Sequence, residues 1–166
     1  MAANIQPIAA DIGDSSWGTD SIRHGLEGAS QSFKTGAPLI NSSGQLIEAT
    51  ASTLAALSGL IGIAVGPAKG VQGSDCAYYP LTPQSYNFSI TVDGTESGGN
   101  APGTGSLAAT GLYGSYNIYK DGTSGYWYLE ETDTTHQNVI VLDFIDPAAT
   151  VNGRVRIRFL RAVTAG

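Results

Sequence analysis

The sequence predicts an all-β protein, and three observations lead to this fold class. The chain has 166 residues, of which 22 are glycine, and only 13% are Asp, Glu, Lys or Arg. Glycine disfavours helix interiors, and the β-branched and aromatic residues cluster in short runs between turn signals. A chain of this length suits one domain with a substantial core. We therefore expect a small β-barrel or sandwich with an extended N-terminal arm and at most one short helix.

The N-terminal residues 1–32 lack sustained periodicity and are rich in Ala, Ser, Gly and Asp. They are predicted to form an extended arm with few contacts to their own domain, while residues 33–166 form a single β-rich domain. Isolated apolar residues in the arm are expected to contact a neighbouring chain, and four of them are candidate contact residues: Ile5, Ile8, Ile12 and Trp17.

Residues 33–66 are predicted to contain a β-hairpin followed by a run of small residues. Two apolar pieces, 37–40 and 46–47, flank Asn41-Ser42-Ser43-Gly44, whose glycine accepts a positive φ. Residues 51–60 have apolar side chains at a spacing of three to four and are predicted to form the short helix.

Residues 76–163 are predicted to supply the remaining strands of the barrel. The segment 86–92 alternates, with Tyr86, Phe88, Ile90 and Val92 on one face. The other predicted strands are 76–79, 115–119, 126–129, 139–145 and 153–163, and residues 130–138 are expected to form a polar loop.

No combination of residues in the sequence indicates catalysis. The single cysteine, Cys76, has no nearby base and is expected to be a small buried hydrophobe, while His24 and His136 stand apart from other strong ligands. Gly103-Thr104-Gly105-Ser106-Leu107-Ala108 matches a nucleotide-binding string but lacks the strand that should precede it, so a loop is favoured. We expect no enzyme, no cofactor and no metal site.

A group of aromatic residues allows two interpretations. Exposed rings would stack on sugars, whereas buried rings would serve packing. Because Tyr126 and Tyr128 share one face of a strand and Trp127 takes the other, both faces must be covered, which favours packing. The group comprises Tyr113, Tyr116, Tyr119, Tyr126, Trp127 and Tyr128.

The final strand carries the most prominent charge pattern. Alternation places Arg154, Arg156 and Arg158 on one face, and with Arg161 they make up half of the chain's Lys and Arg residues. One interpretation is pairing across strands with acids of the same chain: Asp143, Asp146 or Glu130. The other is an anchor onto an acidic surface of a sister subunit or another protein. The sequence leaves both open.

The composition also restricts partners and compartment. The net charge is −6 and the pI about 4.6, so a phosphate backbone would be repelled and nucleic acid is not an expected partner. The longest apolar stretch, 54–65, is interrupted by Ser58, Gly59 and Gly62 and is too short for a membrane span. With one cysteine and an N-terminus unlike a signal peptide, we expect synthesis in a reducing cytoplasm.

Two segments carry a resemblance to a known family. Residues 33–64 contain GAPL, a turn, an apolar pair and then GIA, and this order resembles the opening of the small capsid decoration (cement) proteins of tailed bacteriophages. Residues 121–128, 139–146 and 152–157 are similar to the ending of those proteins, which contains a GTGxWY motif and then a GRV motif.

The resemblance implies a small barrel, which can be β-tulip-like, and no catalysis. It implies a virion structural protein on the capsid exterior, made in the host cytoplasm, that binds the major capsid protein and self-associates as a homotrimer. The arm residues and the three arginines would then be the capsid or subunit contacts. The alternatives are a glycan-binding or adhesive surface module that uses the aromatic group, and a small tail or tube component.

Overall fold

The computed structural model of the protein describes residues 6–7, 22–49, 59–81, 87–93, 105–122, 124–132 and 136–160. These residues form two closed five-stranded β-barrels, so the prediction of an all-β protein built on a small barrel is confirmed. The helical structure among the described residues is one 3-10 turn, Ala109–Gly111.

The first barrel is formed by five strands between residues 23 and 80. Its strands close in the order β2-β4-β3-β5-β6, in which β2 pairs parallel with β4 and the other neighbours are antiparallel. The strands are β2 (Arg23–Glu27), β3 (Pro38–Ser42), β4 (Gln45–Glu48), β5 (Leu60–Ala64) and β6 (Asp75–Pro80).

The predicted hairpin is present as β3 and β4. Its two-residue turn has Ser43 at φ 52° and Gly44 at φ 82°, the pair of positive values that matches the twist of the flanking strands. The Asn41 side chain accepts a hydrogen bond from the Gly44 amide at 2.9 Å. This turn sets the register that places Leu39 and Leu46 in the core.

The second barrel is formed by five strands between residues 88 and 159. Its strands close in the order β7-β9-β8-β10-β11, and a short strand β1 (Gln6–Pro7) is added to β7. The strands are β7 (Phe88–Asp93), β8 (Ser115–Lys120), β9 (Trp127–Glu130), β10 (Val139–Phe144) and β11 (Arg154–Phe159).

The two barrels have the same topology. In each, the first strand pairs parallel with the third, the third pairs with the second, the second with the fourth, and the fifth strand lies antiparallel between the fourth and the first. The chain is therefore a structural repeat of one five-stranded unit.

The core follows the alternation predicted for the strands. Phe88, Ile90 and Val92 of β7 are each at most 1% exposed, and Val155 and Ile157 of β11 face the same interior. Buried apolar residues of both barrels belong to one continuous cluster. Burial of this apolar surface is the main stabilising contribution to both barrels.

A polar junction joins the barrels beside the shared cluster. The Glu48 carboxylate at the end of β4 accepts hydrogen bonds from Trp127 Nε1 at 3.0 Å and from Lys120 Nζ at 2.6 Å. The Lys34 ammonium of the first barrel lies 5.2 Å from the centre of the Tyr126 ring. A half-buried ion pair with these extra contacts fixes the barrels against each other.

The structure differs from two predictions, and a third lies largely outside the described residues. The arm prediction is wrong at its C-terminal end, because residues 23–27 form β2, a strand of the first barrel with partners on both sides. The predicted helix 51–60 lies outside the described residues except for its end, where Leu60 begins β5. Glu130, expected in a polar loop, is the last residue of β9 and only 4% exposed.

Candidate interaction surface

The arginine row on β11 is placed on the outer face of the second barrel, as alternation predicts. Arg154 and Arg158 are exposed and Arg156 is half-buried. The intervening Val155 and Ile157 are buried in the core. The RVRIRF sequence thus gives a strand with one apolar and one basic face.

Arg154 forms a bidentate ion pair with Asp146. Its Nε and a terminal nitrogen donate to the two carboxylate oxygens at 3.0 and 3.1 Å, and the Arg154 amide donates to the same carboxylate at 2.9 Å. These hydrogen bonds lower the pKa of Asp146 below its usual value. The pair borders a shallow, open depression with an empty volume of about 150 Å³.

Arg156 pairs with Asp143 because β10 contains a bulge. The register shifts between Val141 and Asp143, so that Asp143 lies opposite Arg156 rather than Val155. Without the extra residue, alternation from buried Val141 would turn Asp143 inward. The bulge brings the carboxylate to the outer face, where it accepts from Arg156 at 3.3 Å.

Arg158 differs from the other two arginines. It lies opposite Ile140 in the ladder, and within the described part of the chain no acidic side chain pairs with it. Glu130, the third acid proposed as a partner, is on β9, which is not adjacent to β11. Intramolecular pairing therefore accounts for two of the three arginines.

The four candidate contact residues of the arm lie outside the described residues. Ile5, Ile8, Ile12 and Trp17 all fall outside the described ranges, whereas Gln6–Pro7 form β1. Because β1 pairs with β7 and β7 pairs with β11, the described part of the arm is one strand away from the arginine row.

The aromatic group is used mainly for packing. Trp127 belongs to the main core, and Tyr128 and Tyr119 form a second buried cluster with ring centres 6.1 Å apart. Tyr126 packs against that cluster, while Tyr113, with a positive φ of 62°, is 68% exposed. The two faces of β9 are both covered, as the alternation predicted.

The isolated titratable groups occupy structural positions. Cys76 is buried, and burial together with the carboxylates of Glu27 and Asp75 raises the pKa of its thiol to about 11. His24 Nδ1 lies 2.9 Å from an exposed carboxylate oxygen of Asp75. Over the described ranges, no group of three or more His, Cys, Asp or Glu residues could hold a metal ion.

Sequence reasoning missed two acidic residues that organise the first barrel. Glu27 is 1% exposed, and its carboxylate accepts hydrogen bonds from the amides of Lys69 and Gly70 at 2.8 and 2.7 Å. Glu48 forms the junction described above. The hydrogen-bond partners of both acids are distant in sequence, so no local spacing would have identified Glu27 or Glu48 as structural residues.

Comparison with known proteins gives no relative: no family model, curated protein or solved structure matches this chain. In the described segments, no helix has the length and apolar character needed to cross a membrane.

Proposed function

We propose that the protein is a virion structural protein that binds the outer surface of an assembled phage capsid and stabilises it by multivalent contacts. The sequence resemblance to capsid decoration proteins motivates the proposal. The partners would be the major capsid protein and further copies of the same chain, as a homotrimer on the capsid exterior.

The basic row on β11 is the observation that carries the proposal. Three arginines on one outer face are balanced by two carboxylates, so a local positive surface exists on a protein whose net charge is −6. Arg158 stands at the end of this row, where a partner's acid would meet a cation that no described acid neutralises. Such a surface suits an acidic protein face rather than a nucleic acid, which the overall charge repels.

Multivalency supplies the stabilisation. A single exposed ion pair contributes about 0.2–1 kcal/mol. When several copies are linked, each further contact forms at a high effective concentration, and the contributions add across the oligomer. A cap of this kind needs no catalytic chemistry.

The alternative adhesive function receives little support from the aromatic group. Trp127 and Tyr128 are at most 2% exposed, so they offer no face for sugar stacking. Tyr113 alone of the group is largely exposed, and one ring is a small platform.

The proposal is tested by binding to phage capsids from which the decoration protein has been removed. We expect Arg158→Gln to weaken binding about twofold to fivefold per contact at low salt, with the difference fading as salt rises. Arg23→Gln is the matched control, because Arg23 is an exposed arginine on the first barrel. Failure of the wild-type protein to bind capsids would refute the function, and equal loss in both variants would refute the role of the row.

A further inference from the structure

The two ion pairs of the arginine row differ in how firmly they are held. Asp146 accepts three hydrogen bonds from Arg154, two from the guanidinium and one from the backbone amide, and its side chain is 30% exposed. Asp143 accepts one hydrogen bond from Arg156, at 3.3 Å, and its side chain is 57% exposed. Hydrogen bonds between ionised groups usually measure about 2.7–2.9 Å, so the pair of Asp143 is the weaker one. A competing carboxylate would therefore displace Asp143 before Asp146.

Asp143 also has a local structural contact that does not need its charge. While one carboxylate oxygen accepts from Arg156, the other accepts from the Phe144 amide at 2.8 Å. This second contact lies at the bulge, where the register of β10 shifts between Val141 and Asp143. An asparagine at this position keeps an oxygen for the amide and loses the negative charge. The charge of Asp143 can thus be removed without removing the acceptor at the bulge.

Arg156 and Arg158 form two cationic positions with a defined spacing. They are two residues apart on β11, with the buried Ile157 between them, so they lie on one face about 6–7 Å apart. Among the acids of the described segments, Asp143 pairs with Arg156 and none pairs with Arg158. An extended acidic segment with carboxylates at alternate positions has the same spacing. Its two carboxylates would meet both guanidinium groups.

We propose that this part of the outer face binds an acidic segment of the partner through two carboxylates, one on Arg158 and one on Arg156, and that Asp143 is an internal competitor for the second position. The carboxylate on Arg158 displaces nothing. The carboxylate on Arg156 replaces Asp143, so one exposed ion pair is exchanged for another and little affinity is gained. The inference rests on the acidic partner of the proposed function, and it makes the bulge a device that limits affinity for that partner.

Titration with short acidic peptides tests the competition without a capsid. One probe is a blocked serine peptide with two glutamates separated by a single serine, and the other has one glutamate only. Binding is measured at low salt from the amide chemical shifts of β11 in the full-length protein. In the wild-type protein, the second glutamate should tighten binding by less than about twofold. In Asp143→Asn, it should tighten binding about twofold to fivefold, which is the usual strength of an exposed ion pair.

Asp75→Asn is the matched control for the charge change. Asp75 is an exposed acid on the first barrel that also pairs with one basic side chain, His24. Its substitution changes the net charge equally, so it measures the general repulsion of an acidic peptide alone. The gain should disappear when Asp143→Asn is combined with Arg156→Gln, because Arg156 is the group that Asp143 occupies. Arg158→Gln should weaken the binding of both peptides.

Three results would overturn the inference. They are the absence of saturable binding of either peptide, an equal gain in Asp143→Asn and Asp75→Asn, and a gain that persists after Arg156→Gln. The capsid assay separates the inference from the proposed function. The expected peptide result without wild-type binding to capsids would refute the capsid function and leave the carboxylate site in place. Capsid binding together with any of the three results would refute the competition and leave the function in place.

Discussion

Removal of the Glu27 carboxylate should destabilise the first barrel more than any other single acidic substitution in it. Glu27 is the last residue of β2, it is 1% exposed, and its two oxygens accept the amides of Lys69 and Gly70. Gly70 has a positive φ of 74°, so this loop is held in its turn by the carboxylate. Glu27→Ala would leave both amides without that acceptor.

The expected magnitude follows from the two charge-assisted hydrogen bonds. Each contributes about 1.5–3 kcal/mol, so Glu27→Ala should lower the free energy of unfolding by about 3–6 kcal/mol. Glu27→Gln keeps one acceptor oxygen and should cost about half as much. Because domains are stable by only about 5–15 kcal/mol, the alanine variant should approach the limit of folding.

Urea unfolding monitored by far-UV circular dichroism measures this difference. The matched control is Asp75→Asn, since Asp75 is exposed and its carboxylate pairs with the exposed His24 ring. This substitution should lower the free energy of unfolding by less than about 0.5 kcal/mol. A Glu27→Ala variant that loses less than about 1 kcal/mol, at unchanged denaturant dependence, would refute the role assigned to the carboxylate.

Two further predictions concern the thiol and the junction between the barrels. The pKa of the Cys76 thiol is raised to about 11 in the folded protein, so its contribution to stability should fall by about 2–3 kcal/mol as the pH rises from about 9 toward 11. Cys76→Ala should remove this part of the slope and leave the part that arises from Tyr116, whose pKa burial also raises. An unchanged slope in Cys76→Ala would assign the effect to other groups. Glu48→Gln keeps an acceptor for Trp127 but loses the charge that pairs with Lys120, so it should lower the free energy of unfolding by about 1 kcal/mol. Glu48→Ala removes both contacts, so it should lower the free energy of unfolding by about 2–3 kcal/mol and shift the Trp127 fluorescence. An unchanged free energy of unfolding in Glu48→Gln would show that the ion pair contributes nothing.

The strands with local signals were predictable from sequence, and those without were not. The hairpin turn at Ser43-Gly44 and the alternation of β7 and β11 arise from neighbouring residues, so they could be read directly. The strand β2 has only five residues, with two exposed charged or polar ones at its start and a glycine at its centre. Its partners β4 and β6 lie far along the chain, so its strand identity depends on barrel closure.

The candidate surface was predictable in its residues but only partly in its pairing. Alternation predicts that the three arginines share a face. It does not predict the bulge at Val141 to Asp143, which decides that Asp143 faces Arg156. The repeat of the two barrels was also missed, because corresponding strands such as β2 (RHGLE) and β7 (FSITVD) share neither residue identities nor a pattern of apolar positions.

The position of β1 has a consequence for the order of events during synthesis. Pro7 leaves the ribosome about 80 residues before Phe88, its partner in the ladder, so at 5–20 residues per second roughly 4–16 s pass before β7 exists in the same nascent chain. During that interval residues 6–7 have no β7 partner within their own chain. The five strands of the first barrel, which all lie between residues 23 and 80, can therefore pair before β1 finds its place beside β7 on the second barrel.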